Sequence, residues 1–186
     1  HQTELWSDEH LEAMRPLMTM LAQAGQKVIT ATLIHKPWGG QTYDHFESMV
    51  EWVRRPDGTW EYGFDIFDKW VSFMMDCGVT EQINCFSIAP WHSAFRYFDE
   101  ASGEYAYVNA EVGTSEYEEF WSGMLKAFGK HLKEKGWFDI CTIAMDERPV
   151  EVMAEVIKLI RNVSPDFKIS LAGNYHPEVE SEIYDY

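Results

Sequence analysis

The sequence predicts an α/β fold of the (β/α)8 barrel type, with about half of a barrel present in residues 1–186. Three observations carry this. Four short apolar runs rich in β-branched residues alternate strictly with segments of helical periodicity, which is the pattern of a parallel sheet covered by helices. No Gly-x-Gly-x-x-Gly and no phosphate-binding P-loop follows any of these runs, which disfavours a doubly wound nucleotide-binding sheet. Four strand–helix units supply half of a closed barrel, and a whole one takes about 250 residues. The expectation is one segment of a single catalytic-type domain.

The elements follow in order. "WSDEHLEAMRPLMTMLAQAGQ" opens with Ser7 as a cap and Asp8 and Glu9 in the first turn. Leu11, Met14, Leu17, Met18 and Leu21 recur at helical spacing, Gly25 ends the helix, and Pro16 sits where it could kink it. "KVITATLI" (27–34) is the first strand. Residues 35–63 form a long irregular stretch whose "RRPDGTW" carries the Pro-Asp-Gly signal of a hairpin turn around Asp57 and Gly58. A helix over about 64–77 stops at Gly78, and "EQINCFSI" (81–88) is the second strand. An aromatic-rich loop spans 89–113. Ser115 caps a long helix ending at Gly136, and "WFDICTIAM" (137–145) is the third strand. Pro149 opens the next helix, where its missing N–H costs nothing. "FKISLAG" (167–173) is the fourth strand, followed by Asn174, Tyr175, His176 and a short acidic helix.

Composition excludes some partners. Fifteen basic against 31 acidic residues give a net charge of −16, which repels phosphate backbones and anionic membranes. The three cysteines, Cys77, Cys85 and Cys141, are odd in number and widely spaced, which argues against a disulfide framework or a zinc site. No apolar run approaches the ~20 residues of a membrane span. The chain begins at His1 rather than Met, as a segment of a longer protein would, and a periplasmic or secreted setting is expected for that protein.

Function in a parallel α/β fold collects where strands end. The first strand leads into His35, Trp38, Gln41 and Tyr43, the second into Trp91 and His92, the third into Asp146, Glu147 and Arg148, and the fourth into Asn174, Tyr175 and His176. Taken singly, each has a plain alternative. His35 suits a hydrogen-bonded structural histidine, Trp38 and Trp91 suit packing lids, Arg148 an ion pair, and Asp146-Glu147 the acids ahead of a helix N-terminus. Together they suggest a lined cleft.

Two carboxylates at one site point to glycoside hydrolysis, but adjacent side chains diverge and make a poor nucleophile–acid pair. They suit substrate-assisted catalysis, in which one carboxyl donates the proton and the other holds a 2-acetamido group that attacks the anomeric carbon. The neighbouring charge and aromatic surroundings are expected to raise the acid's proton affinity.

The strings "HKPWGGQTYD", "APWHSAFRYFDE", "HLKEKGWFDICTIAMDERP" and "LAGNYHPEV" resemble the catalytic domain of glycoside hydrolase family 123, from about residue 27 to the end. The resemblance implies a bacterial exo-acting β-N-acetylgalactosaminidase. It implies a (β/α)8 catalytic barrel flanked by β-sandwich domains and retaining hydrolysis through an oxazolinium intermediate. On the matching positions Asp146 would orient the acetamido group and Glu147 would be the general acid/base. Trp38, Tyr43, Trp91, Asn174, Tyr175 and His176 would surround the sugar, with His35 and Gln41 as hydroxyl partners. No metal or other cofactor is expected. The partners expected are a glycan ending in an N-acetylhexosamine, the remaining half-barrel and the β-sandwich domains. The two unpaired edges of a half-barrel would also favour self-association. Two other readings stand beside this one: a non-catalytic glycan-binding fragment, and a metal-dependent barrel hydrolase using His35, His92, Asp146, Glu147 and His176.

Overall fold

A computed structural model describes residues 3–186. The first helix, α1 (Asp8–Gln23), is capped by Ser7, whose Oγ accepts from His10 N (3.1 Å). Pro16 lies within it without ending it. Strands β1 (Val28–Thr32), β4 (Gln82–Phe86), β7 (Cys141–Asp146) and β8 (Lys168–Ala172) form one parallel sheet in the order β1-β4-β7-β8. The crossovers run through α2 (Asp65–Asp76), α3 (Ser115–Lys135) and α4 (Val150–Val163). This is a partial (β/α)-barrel-like fold, as the alternation of elements predicts.

Four local expectations are corrected. The third strand begins at Cys141, because Phe138–Ile140 form a 3-10 turn before it. The cap of α3 is Thr114, whose Oγ1 accepts from Tyr117 N, and Ser115 is the first helical residue. The short acidic helix at the end is a single turn, Glu180–Glu182. The fourth correction is the largest. Residues 89–113 are not one loop; they fold as a hairpin of β5 (Ala94–Asp99) and β6 (Glu104–Asn109). With β2 (Glu51–Arg54) and β3 (Trp60–Gly63), the hairpin anticipated at Asp57-Gly58, it makes a second sheet in the order β3-β2-β5-β6. The two hairpins meet through a parallel pairing of Val53 with Phe98 and Arg54 with Asp99.

The chain holds eight Trp, nine Tyr and eleven Phe, and the second sheet packs several of them against α3. Trp52 stacks on Phe120 of α3 at 4.1 Å and packs edge-on against Trp121 and Tyr62. Phe95 packs on Phe120 and Trp121. Tyr117, Phe120, Trp121, Met124, Leu125, Phe128 and Leu132 line the buried face of α3 at helical spacing. The Trp52 Nε1 donates to Leu33 O (2.7 Å), tying the second sheet to the end of β1.

The parallel sheet is polar on the face that carries Asp146. Alternation along each strand places Gln82, Asn84, Thr142 and Ser170 on that side. They bond in a row: Gln82 Nε2 to Asn84 Oδ1 (2.9 Å), Thr142 Oγ1 to Asn84 Oδ1 (2.8 Å), and Thr142 Oγ1 with Ser170 Oγ (2.7 Å). The expected pair of open edges is also modified. Along β1, the carbonyls of Val28, Thr30 and Thr32 accept from Gln26 Nε2, Trp70 Nε1 and Met49 N. Along β8, Tyr184 N donates to Ile169 O and Leu171 N to Asp185 O, so the last residues run parallel to that strand.

Candidate active site

The two acids leave the end of β7 into different surroundings. Asp146 is half-buried, and its Oδ2 accepts from Ser87 Oγ (2.9 Å), at the end of β4. The Trp38 side chain also acts on this carboxyl, lowering its proton affinity as a nearby donor does. Burial raises the Asp146 carboxyl above the usual carboxylate range, partly opposed by Ser87, by the Arg148 charge and by Trp38. Trp38 is itself held edge-on by Phe46 at 5.1 Å and lies 5.6 Å from Phe86.

Glu147 turns toward the end of β8. His176 Nε2 lies 2.9 Å from its Oε1, and Asn174 donates through Nδ2 (3.1 Å and 3.3 Å) and through its backbone N (3.3 Å). The Glu147 N–H donates to Ala172 O (3.2 Å), which fixes its backbone to the neighbouring strand. The hydrogen bond from His176, then those from Asn174, hold the Glu147 carboxyl below its ordinary value. This corrects the expectation of a raised proton affinity at Glu147: the raised carboxyl is that of Asp146. The physical reason is that hydrogen-bond donors converge on Glu147 from the next strand end, while burial dominates at Asp146.

Other candidates divide into those the structure brings to the acids and those it does not. Asn174 and His176 hydrogen-bond Glu147 directly, and Trp38 acts on the Asp146 carboxyl. Trp91 is linked indirectly: Arg148 lies over its ring, 4.6 Å from the centroid. Tyr175 is exposed and faces Tyr186 at 6.0 Å. Gln41 and Tyr43 are exposed on the loop after β1, and no hydrogen bond among the described residues joins them to the acids. No hydrogen bond among the described residues joins His35 to either acid. Its Nε2 lies 3.6 Å from Glu47 Oε1, and it lines a separate cavity of about 450 Å³ with Arg96, Tyr97 and Tyr105. Burial and the Arg96 charge lower its pKa to about 4, so it is neutral at ordinary pH. Among the described residues, no group of three or more His, Cys, Asp or Glu side chains converges as a metal site would require.

Two contacts to the acids fell outside the sequence-based set. Ser87 occupies a strand-end position like the others, and that position was the available signal. Gly173 carried none. A β-carbon there would stand 2.5 Å from Glu147 Cβ, so only glycine lets the end of β8 pass beside that side chain. A cavity of about 700 Å³ is lined by Trp38, Asp44, His45, Phe46 and residues of α1 and α2.

A partial (β/α)-barrel-like sheet with acids, a histidine and indoles at its carboxyl-terminal edge has the layout of a barrel catalytic domain. The chain belongs to the family described as "Glycoside hydrolase 123, catalytic domain", whose profile matches residues 1–186. It is also similar to the solved structure of a family 123 glycoside hydrolase from Clostridium perfringens, described in connection with glycolipid glycan hydrolysis. The two share 32% identity with a TM-score of 0.87 over 94% of this chain. The chain spans 32% of the length of that protein. No curated protein matches it.

Proposed function

We propose that the protein is a retaining exo-β-N-acetylgalactosaminidase acting on terminal N-acetylhexosamine of glycans, glycolipid glycans among them, by substrate-assisted catalysis. On this reading the chain is part of one (β/α)8 catalytic domain, completed by further barrel strands and flanked by β-sandwich domains. The observation that carries the proposal is the divergence of two adjacent carboxyls: one is buried against an indole and a hydroxyl, the other faces donors from the next strand end. The half-buried Asp146, made more basic by desolvation, accepts the acetamido N–H strongly and steadies the positive oxazolinium that forms. Glu147 protonates the leaving oxygen as the acetamido oxygen closes on the anomeric carbon, then takes a proton from the water that opens the ring. Glu147 favours its carboxylate form in the free site. His176, 2.9 Å away, is the group placed to share the proton that Glu147 must carry.

The pKa directions favour a second assignment, in which Asp146 is the acid and Glu147 the ionised partner. Leaving-group dependence separates the two. For the first assignment, Glu147→Gln loses about 10²–10⁴-fold on a sluggish aryl or sugar leaving group and far less on a dinitrophenyl β-N-acetylgalactosaminide. Asp146→Asn loses on both. The reverse pattern establishes the swap. Near-normal turnover in both variants rejects the site, and a parallel assay on the β-N-acetylglucosaminide reads the sugar preference.

A further inference from the structure

We infer that Arg148 is a positioning residue that closes a ring of contacts around the acid pair and holds the Trp91 loop in place. The inference rests on the proposed role of Asp146 and Glu147. It goes beyond that role in giving a task to the third residue of the strand end.

The ring can be followed residue by residue. From the end of β7, the Arg148 guanidinium reaches the loop after β4, where Nη1 donates to Pro90 O and lies 3.5 Å from Ala89 O. Its Cζ sits over Trp91, 4.6 Å from the ring centroid, and leaves that indole 53% exposed. The next residue, His92, bonds through Nε2 to Lys36 O (2.8 Å) in the loop after β1. Two residues further along that loop, Trp38 stands close enough to Asp146 to act on its carboxyl as a donor. The circuit therefore returns to the strand from which Arg148 leaves. Three strand ends that share no local sequence are tied together, and Arg148 is the link that carries charge.

Stability alone does not account for an arginine here. Its Nε is buried with no hydrogen-bond partner, and such an orphaned donor typically costs about 1–3 kcal/mol. A planar guanidinium can grip carbonyl oxygens and stack on an indole at once, which a lysine ammonium cannot. Arg148 is also the formal cation that acts on Asp146. The remaining groups on that carboxyl, Ser87 and Trp38, are neutral, and His176 bonds to Glu147 instead.

Two substitutions in the intact protein separate grip from charge. Arg148→Lys keeps the charge and loses the guanidinium that reaches Pro90 O and covers Trp91. Its KM for an aryl β-N-acetylhexosaminide should rise about tenfold, with kcat changed less. Arg148→Met loses both, and the Asp146 carboxyl, followed by carbon-13 NMR titration, should move to higher pKa than in the wild type or in Arg148→Lys. An unchanged KM in Arg148→Lys overturns the inference, as does an Asp146 titration that stays in place in Arg148→Met. Should Arg148→Met not fold, as judged by circular dichroism, the KM of Arg148→Lys decides. A wild type that hydrolyses no hexosaminide refutes the proposed function instead, and the Asp146 titration then decides the Arg148 inference without any turnover.

Discussion

At the residue scale, the feature that separates this site from a plain helix start is the crowding of Glu147 against Gly173. Gly173→Ala would force a β-carbon to within 2.5 Å of Glu147 Cβ unless one backbone moves. The expected result is a Glu147 displaced from His176 and Asn174, with activity down about 10–100-fold and a stability loss of about 1–3 kcal/mol from overpacking. Steady-state kinetics and thermal unfolding of the variant measure both. The position of the acids at a strand end was legible in the sequence, because the apolar run Cys141–Met145 gives way to Asp146-Glu147 just before Pro149 opens the next helix. The direction of their proton affinities was not. That balance depends on His176 and Asn174, 29 and 27 residues later, and on the burial of Asp146, which Ser87 and Trp38 oppose; none of these is a sequence neighbour. The surroundings of His35 were equally hidden: its strand-end position was readable, but its neighbours Glu47 and Arg96 come from later in the chain.

At the element scale, the second sheet decides how the loops after β1 and β4 sit over the barrel-like sheet. Trp52 is its anchor, stacked on Phe120 and bonded to Leu33 O. Trp52→Ala should cost about 3–5 kcal/mol, as truncation of a buried aromatic does, and should loosen both hairpins together. A denaturant titration with near-ultraviolet circular dichroism tests this; a loss below about 1 kcal/mol would remove Trp52 from that role. The four parallel strands and the helices between them were legible because each obeys one periodicity along its own length. The first hairpin was legible from Pro56-Asp57-Gly58. The second was not, although "AFRYFD" and "EYAYVN" flank a turn closed by Gly103, because their aromatics also suited a ligand-binding loop. The pairing of Val53 with Phe98 joins hairpins 45 residues apart and leaves no local mark.

At the scale of the whole molecule, the sheet closes part of its own boundary. Groups from elsewhere in the chain occupy the outward carbonyls of β1, and the segment around Tyr184 and Asp185 lies along β8. Tyr184→Pro removes the N–H that donates to Ile169 O and frees the β8 edge. Sedimentation of this variant should show concentration-dependent association, while Tyr184→Ala, which keeps the N–H, should behave as the parent does. Equal behaviour of the two variants would mean that the tail does not guard the edge. The charge of −16 works in the same direction, since like-charged copies repel at low salt.

The row of side-chain bonds from Gln82 through Asn84 and Thr142 to Ser170 has a bearing on the acids above it. Apolar sheet faces set their stagger by shape, and shapes of similar size can be exchanged. Here the stagger of β4, β7 and β8 is keyed by donors meeting acceptors, like teeth in a lock. A slip of one residue would turn Asn84 or Thr142 to the opposite face and leave its neighbours without partners. The spacing between Ser87 and Asp146 is thus gauged further down the same strands, by polar residues that touch neither of them.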